Sequence, residues 1–407
     1  MRQFSKQKRP VKIILVLITL LLLVLSLTLP STATYAEDSQ TIEEDLEEEL
    51  GQEIDNQLGN LDLSSLEDIL NSLTDGELAI FGSNSFIGKL QDLINGNFED
   101  GTSLWSALLN LFFENILSLL PIISIIIAVS LLGSMIQGLK PANNGKSISN
   151  IIHFVTYGVI VVLVLSITVK MVTLTTNTMQ SMKSQMDAIF PLLLTLLTAV
   201  GGTTSTSVYQ PAMAMLSGLI MNLFTYVLLP IFIFSVVFSV VSNLSNNVKL
   251  DKFTSFFNST YKWLIGLIFT VFTAFLSIQG ITAGSIDGIS IRTARYAIRS
   301  YIPILGSYIS DGMGLILVSS NLIKNAVGAT GLFILLATIL SPLIQLILFM
   351  LALKLIAGIL EPLGNKQIAN FVSSLSKSLV LLIVLIIGLA FIYFIMLGLV
   401  MCSANVV

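Results

Sequence analysis

The chain is poor in the residues from which soluble catalytic sites are built. Among 407 residues there is one cysteine, Cys402, and one histidine, His153. No disulfide framework and no Cys/His metal cluster can form within one chain on that inventory. Cys402 then reads as apolar filler at the end of the last hydrophobic run, and His153 as a residue near a membrane surface. Charge is scarce as well, at 11% of residues, against about 25% in an ordinary soluble domain. The sequence lacks a Gly-x-x-x-x-Gly-Lys-Ser/Thr loop, so it is not expected to hydrolyse nucleotide by itself. It also lacks the Gly-x-Ser-x-Gly elbow and the His-Glu-x-x-His pair. Acids are too sparse in the apolar runs for a relay of paired carboxylates. The expectation is a non-enzyme with no cofactor, no metal and no nucleic-acid partner.

What the chain has is apolar length. Hydrophobic residues make up 54% of it. Ile116 to Leu139, Ile151 to Val169, Tyr209 to Val241, Trp263 to Ile281, Val327 to Leu353 and Leu379 to Met401 each reach or approach the roughly 20 residues of a bilayer-crossing helix. Backbone polar groups in lipid must bond within their own segment, which makes such runs helices. A membrane barrel would alternate polar and apolar residues over strands of about 10 residues, and these runs do not alternate.

Arg2, Lys6, Lys8, Arg9 and Lys12 precede an apolar stretch from Ile13 to Leu29, which Pro30 and small residues through Ala36 follow. Residues 1–36 therefore have the layout of a secretory signal, and the length of the stretch also suits an uncleaved anchor. Residues 37–115 read as an extracytoplasmic segment. Glu37 to Glu114 hold 19 acidic residues and one base, Lys89, a net charge of −18. Anionic headgroups and nucleic acid would both repel that block. Within it Ile42, Leu46, Leu50, Ile54, Leu58 and Leu61 recur every three or four positions, on one side of a helix. That stripe either docks on a partner, or belongs to a helix that is solvated or folds back on its own chain.

Residues 116–407 read as the multi-span membrane region. Two stretches in it look like interrupted helices, one at Gly201-Gly202 with Pro211 after it, the other at Gly306, Gly312 and Gly314 with Asp287 and Asp311 nearby. Interrupted segments at matching places in two halves point to a binding or conduction path in transporters. Pro191 and Pro230 overlay Pro303 and Pro342 at an offset of 112 residues, which also lays Gly202 on Gly314. This is the pattern of two copies, 151–250 and 263–362, inverted if each crosses an odd number of times. Coincidence of proline pairs and hydrophobic blocks is the alternative. Between the copies, Arg292, Arg295 and Arg299 form a basic stripe on one helical face. The stripe suits an interfacial helix on anionic headgroups, or a charged lining or partner-docking surface.

The residues Ser277-Ile278-Gln279-Gly280, Asp287-Gly288-Ile289, Arg292-Thr293-Ala294, Ile302-Pro303-Ile304-Leu305-Gly306, Leu322-Ile323-Lys324-Asn325 and Glu361-Pro362-Leu363-Gly364, in that order, resemble the stage III sporulation protein AE family. The layout of signal, acidic segment and multi-span remainder is similar too. The resemblance implies a membrane component of a secretion-like complex made during endospore formation. The complex would lie in the mother-cell membrane surrounding the forespore, with a cytoplasmic ATPase and ring-forming subunits as partners. A permease or export-gate role is implied, with no catalytic residues to carry over. The fold expected is an all-α polytopic helical bundle of about six to eight spans. A non-conducting scaffold of the same complex and an autonomous secondary transporter are the rival readings.

Overall fold

The computed structural model describes residues 40–83, 85–95, 101–138, 145–244, 250–301, 306–362 and 366–403. The signal assigned to residues 1–36 lies outside them. The described chain is helical, with no strand among the described residues. Four helices precede the long apolar ones: α1 (Gln40–Gly59), α2 (Ser64–Asn71), α3 (Asp75–Phe81) and α4 (Phe86–Ile94). The long helices are α5 (Gly101–Gly138), α6 (Gly145–Ala199), α7 (Thr203–Leu223), α8 (Leu229–Leu244), α9 (Asp251–Tyr301), α10 (Gly306–Leu360) and α11 (Lys366–Cys402). A π-helical turn, Phe224–Leu228, joins α7 to α8 without a break.

Six helical stretches among the described residues are long and apolar enough to cross a membrane: Trp105–Gly133, Phe154–Ala199, Thr203–Asn243, Lys252–Ser277, Gly312–Leu360 and Lys366–Cys402. Each apolar run of the sequence overlaps one of them, with Leu139 outside the described residues. The protein is a multi-pass helical membrane protein. Its outward surface carries Phe154, Val162 and Val169 of α6, Phe234 and Val237 of α8, Trp263 and Val271 of α9 and Leu351 and Leu355 of α10, all exposed. A continuous apolar exterior of this kind is what lipid covers. Pro121, Pro191, Pro211 and Pro342 lie inside helices, a placement that neighbouring helices make tolerable in a membrane.

α11 is the centre of the bundle. It is buried along most of its length, and α10, α6, α8, α9 and α7 pack around it. Tyr157 of α6 meets Phe371 with ring centroids 5.9 Å apart. The Tyr261 hydroxyl of α9 donates to Leu381 O at 2.6 Å. Gly328 of α10 lies so close to Met401 that a Cβ there would overlap it. Gly133 of α5 is similarly placed, since an added Cβ would meet Thr156 Cγ2 at 2.6 Å. Small residues at such crossings let helix backbones approach in lipid, where no hydrophobic drive separates helix from solvent.

α6 and α10 each run for 55 residues, about 80 Å at 1.5 Å per residue. That is more than twice a bilayer core of about 30 Å. The apolar run Ile151 to Val169 and the apolar sequence from Ile189 to Ala199 are thus parts of one continuous helix, with the polar sequence between them helical as well. The second expected interruption is corrected: Gly312 and Gly314 sit inside α10. A helical glycine costs only about 1 kcal/mol relative to alanine, less than the packing of a 55-residue helix supplies. Gly312 is not a close-approach site either, because a Cβ there would meet nothing within 4 Å. The glycines of α10 against which neighbouring side chains pack closely are Gly328 and Gly331, the latter with a Cβ position 3.0 Å from Ile189 Cδ1.

Replacing Gly328 with valine is expected to destabilise the purified protein by about 1–3 kcal/mol through overpacking against Met401. Gly312→Val is expected to stay within about 1 kcal/mol of wild type. Thermal unfolding of both variants in detergent measures the contrast, and equal effects would refute the assignment of close approach.

Candidate functional site

The reversal between α6 and α7 is made by the two glycines that the sequence singled out. Gly201 has φ 88°, the left-handed region that only glycine enters without penalty. Its N–H donates to Thr198 O at 2.9 Å, and Gly202 N donates to Leu197 O at 2.8 Å. Together these form the paired-bond ending of a helix in a left-handed residue. A Cβ on Gly202 would fall 2.9 Å from Leu197 O. The adjoining hydroxyls bond inside the hairpin: Thr206 Oγ1 to Gly202 O at 2.9 Å and Thr198 Oγ1 to Thr206 Oγ1 at 3.0 Å. Pro211 follows as an exposed residue inside α7.

Near the same end of the bundle, Lys324 of α10 is fully buried. Its Nζ donates to Ser403 O at 2.6 Å, placing a cation at the carboxyl end of α11, where exposed carbonyls carry partial negative charge. Ser403 Oγ donates to Leu399 O at 2.7 Å and lies 3.1 Å from the Tyr209 hydroxyl of α7. Three helices therefore meet on one buried polar cluster. Sequence reasoning met Lys324 only as part of a motif. Its signal was a lone cation inside a long apolar helix, a placement that demands a partner.

The acidic helices fold back onto this end. Ile54 and Leu58 of α1 are buried, and Leu50 and Leu61 pack against the core, which settles the described part of the stripe as a contact within the chain. Gln57 of α1 is held from both ends of its amide: Nε2 donates to Ser319 Oγ at 3.0 Å, and Ser320 Oγ donates to Oε1 at 2.8 Å. Lys89 of α4 is buried, with Nζ 5.4 Å from the Phe333 ring centroid of α10 and 5.9 Å from that of Phe81. A cation over ring faces is attracted by their quadrupoles, more so when desolvated.

Between the acidic helices and the long ones lies a cavity of about 350 Å³. Ile69, Ser72 and Leu73 close it from the α2 side and Glu77 from α3, while Asn177, Gln180, Ser181, Ser184 and Gln185 of α6 and Thr338 of α10 form the opposite wall. Gln185 is 1% exposed. Its Nε2 donates to Thr338 Oγ1 at 2.6 Å, and its Oε1 has no hydrogen-bond partner. Beside the cavity Lys183 pairs with Asp187 one turn along α6. Sequence reading missed this wall, because a polar stretch between two apolar runs resembles a loop until the runs prove to be one helix.

Of the other sequence candidates, Asp287, Arg292 and Arg295 are placed by backbone alone, in α9, and Asp311 likewise in α10. Arg299, in the last turn of α9, donates from Nε to Ser310 Oγ of α10 at 2.9 Å. It thereby ties the end of one helix to the start of the next.

The sequence profile of the stage III sporulation protein AE family matches residues 85–404. The chain belongs to that family. Stage III sporulation protein AE of Bacillus subtilis (strain 168) is 26% identical over 319 residues, which cover 78% of this chain and 80% of that protein. No solved structure matches. The AE-family match takes in α4 to α11 and leaves out α1 to α3. The α6 and α10 walls of the cavity therefore belong to the part of the chain that matches the AE family, and the α2 and α3 walls do not.

Two outcomes follow for this AE-family chain. Gly201→Ala is expected to cost about 1–2 kcal/mol from the left-handed backbone alone, read as a lowered unfolding temperature in detergent. Gln57→Leu combined with Lys89→Ala is expected to loosen the acidic helices, so that limited proteolysis releases them while residues 101–403 stay protected. Unchanged cleavage would refute the docked arrangement.

Proposed function

We propose that this protein is the multi-pass membrane component of a sporulation complex that links mother cell and forespore, in a permease or export-gate role. In this reading it lies in the mother-cell membrane around the forespore, and its partners are other stage III membrane-complex proteins, including a cytoplasmic ATPase and ring-forming subunits. It carries out no catalysis itself and binds no nucleic acid.

The observation that carries the reading is the composition of α6 beyond its first apolar run. Ten of the thirteen residues from Thr173 to Gln185 are polar, on a helix that continues into apolar sequence at Ile189. Polar side chains on a spanning helix mark pathways or water-filled cavities, because lipid solvates them poorly. Here five of them, Asn177, Gln180, Ser181, Ser184 and Gln185, line a cavity roofed by the acidic helices. Sidedness supports the same picture. Successive spans reverse, so Gly145, Leu244, Asp251, Leu360 and Lys366 share one end, with Lys146, Lys252 and Lys366 on it. The positive-inside rule favours that end as cytoplasmic. The acidic helices then lie on the far face, together with the arginine stripe of α9, which suits a partner-docking surface there.

A specific observation favours the scaffold reading. α11 fills the middle of the bundle with apolar side chains, so one chain has no open axis, and a route through it has to follow the seam between α6 and α10.

Single cysteines at Ser181, Ser184 and positions 200–210, in a background with Cys402 replaced, separate the two. Labelling of Ser184→Cys by a membrane-impermeant thiol reagent is expected, at a rate near that of loop controls. Uniform protection at 181 and 184 beside labelled controls would sink the conduit and leave the scaffold.

A further inference from the structure

Only two carboxylates lie within the six helical stretches that are long and apolar enough to cross a membrane, Asp187 in α6 and Glu114 in α5. Asp187 is paired with Lys183. Glu114 is exposed on the outside of the bundle, beside the exposed apolar side chains of Phe113 and Leu117, and has no ion-pair partner among the described residues. It lies nine residues inside the end of its stretch at Trp105, about 14 Å at 1.5 Å per residue. A carboxylate on a spanning helix is costly in lipid and is found paired or turned into the protein. A lysine can reach the headgroups on its long stem, whereas a glutamate is too short to do so from that depth. Glu114 therefore calls for a cation from outside its own chain. The helix that carries it is also the least covered, since 17% of its most apolar stretch is buried, the lowest share of the six.

A matching cation stands on the neighbouring helix. Lys170 of α6 is exposed too, and it has no ion-pair partner among the described residues. α5 and α6 run in opposite directions and meet where a Cβ on Gly133 would touch Thr156, which gives the two helices a common scale of depth. Glu114 lies 19 residues before Gly133 and Lys170 lies 14 residues after Thr156, so the two differ in depth by about 8 Å, within the combined length of their side chains. On the same scale the exposed Leu131 is level with Gly158, where a Cβ would meet nothing within 4 Å. Ser124 and Ser166, both exposed, lie one residue from a common level, and small residues of this kind let helices approach in lipid. The outer faces of α5 and α6 thus offer each other, at matching depths, a carboxylate and an ammonium, and a projecting leucine and an open notch. A rotation about the membrane normal leaves depth unchanged, so a two-fold axis in that direction sets α5 of each copy against α6 of the other, the self-complementary arrangement of a closed dimer. We propose that two copies of this chain associate in the membrane through their α5–α6 hairpins, with Glu114 of each paired to Lys170 of the partner subunit. The pairing removes both charges from lipid, and it holds whether the chain conducts or serves as a scaffold.

The test is cross-linking of the full-length protein in membranes, in the background with Cys402 replaced. Glu114→Cys and Lys170→Cys, co-expressed as two differently tagged chains, are expected to be joined by a short bismaleimide far more than either variant is when expressed alone. In detergent, Glu114→Lys and Lys170→Glu are each expected to weaken dimerisation about tenfold or more, and the double variant Glu114→Lys/Lys170→Glu to restore it, read as the dimer fraction by light scattering over a dilution series. Restoration by the double variant isolates the pair from the two sites taken singly. Unfolding temperatures separate loss of the contact from loss of the fold, and if the charge-reversed chains fail to insert, the cysteine link decides. A chain that stays monomeric with no link between positions 114 and 170 overturns the proposal. So does a link from Glu114→Cys to a different membrane protein in its place, a dimer that the single charge reversals leave unmoved, or a double variant as weak as the single ones.

Discussion

The contact between α10 and α11 sets the geometry on which the rest of the protein depends. Helices in lipid gain little from hiding apolar surface, because the tails around them are as apolar as leucine, so close shape fit and buried polar bonds hold them together. Both are present along this pair. Gly328 lets α10 approach Met401, and Lys324 binds the last turn of α11 through Ser403 O. Further down, Ser376 Oγ donates to Met350 O at 2.9 Å. Once α11 is fixed against α10, its other faces receive α6, α8 and α9, and the bundle closes around it.

The length of α10 is what joins the membrane helices to the acidic segment. A helix that ended at a bilayer surface would offer α1 to α4 nothing to pack on. Because α10 runs on, Ser319, Ser320 and Phe333 give Gln57 and Lys89 their partners. The acidic helices then cover the polar part of α6. Each layer depends on the other: the polar stretch of α6 could not face lipid, and α2 and α3 are too short to be stable helices by themselves. The capping box of Thr74 and Glu77 and the bond from Gly88 N to Ser85 Oγ set where α3 and α4 begin, but packing on α5, α6 and α10 holds them.

How much of this was legible varies with the physics of each element. All six spans could be read, since apolar length alone decides them. Gly201-Gly202 could be read as a break, because two glycines followed by a run of small hydroxyl residues end a helix on local grounds. Gly312 and Gly314, separated by Met313 and followed by Leu315 to Val318, look like a break only by their glycines and lie within α10. What overrides it is the long packed helix that continues on their carboxyl side, which spacing does not reveal. The repeat offset overlays the proline pairs but not the helix ends: α6 continues through Pro191, while the described part of α9 ends before Pro303. The central place of α11 was hidden for a different reason. In water a helix that is apolar all round is known to be buried, whereas in a membrane the lipid-facing and the buried helix look alike. The polar partners of α1 were likewise invisible, because Ser319 and Ser320 lie more than 250 positions away in sequence.

A filled centre and a polar flank together restrict how such a chain can move anything across a membrane. Opening the axis would require displacing α11 from five neighbouring helices, with the loss of its apolar contacts, of the Lys324 bond at its carboxyl end and of the Tyr261 bond near its middle. Parting α6 from α10 on the covered side breaks the most extensive helix pairing after that of α10 with α11. That contact includes the Gln185–Thr338 bond and the close approach of Gly331 to Ile189, and the acidic helices cover it with buried apolar side chains, among them Ile54, Leu58, Leu70 and Phe81. The low-stability elements of a protein are those that move. By that reasoning α11, buried along most of its length, is the fixed part. In the permease reading, the negative charge of the acidic segment would favour cations among solutes that reach the polar face of α6.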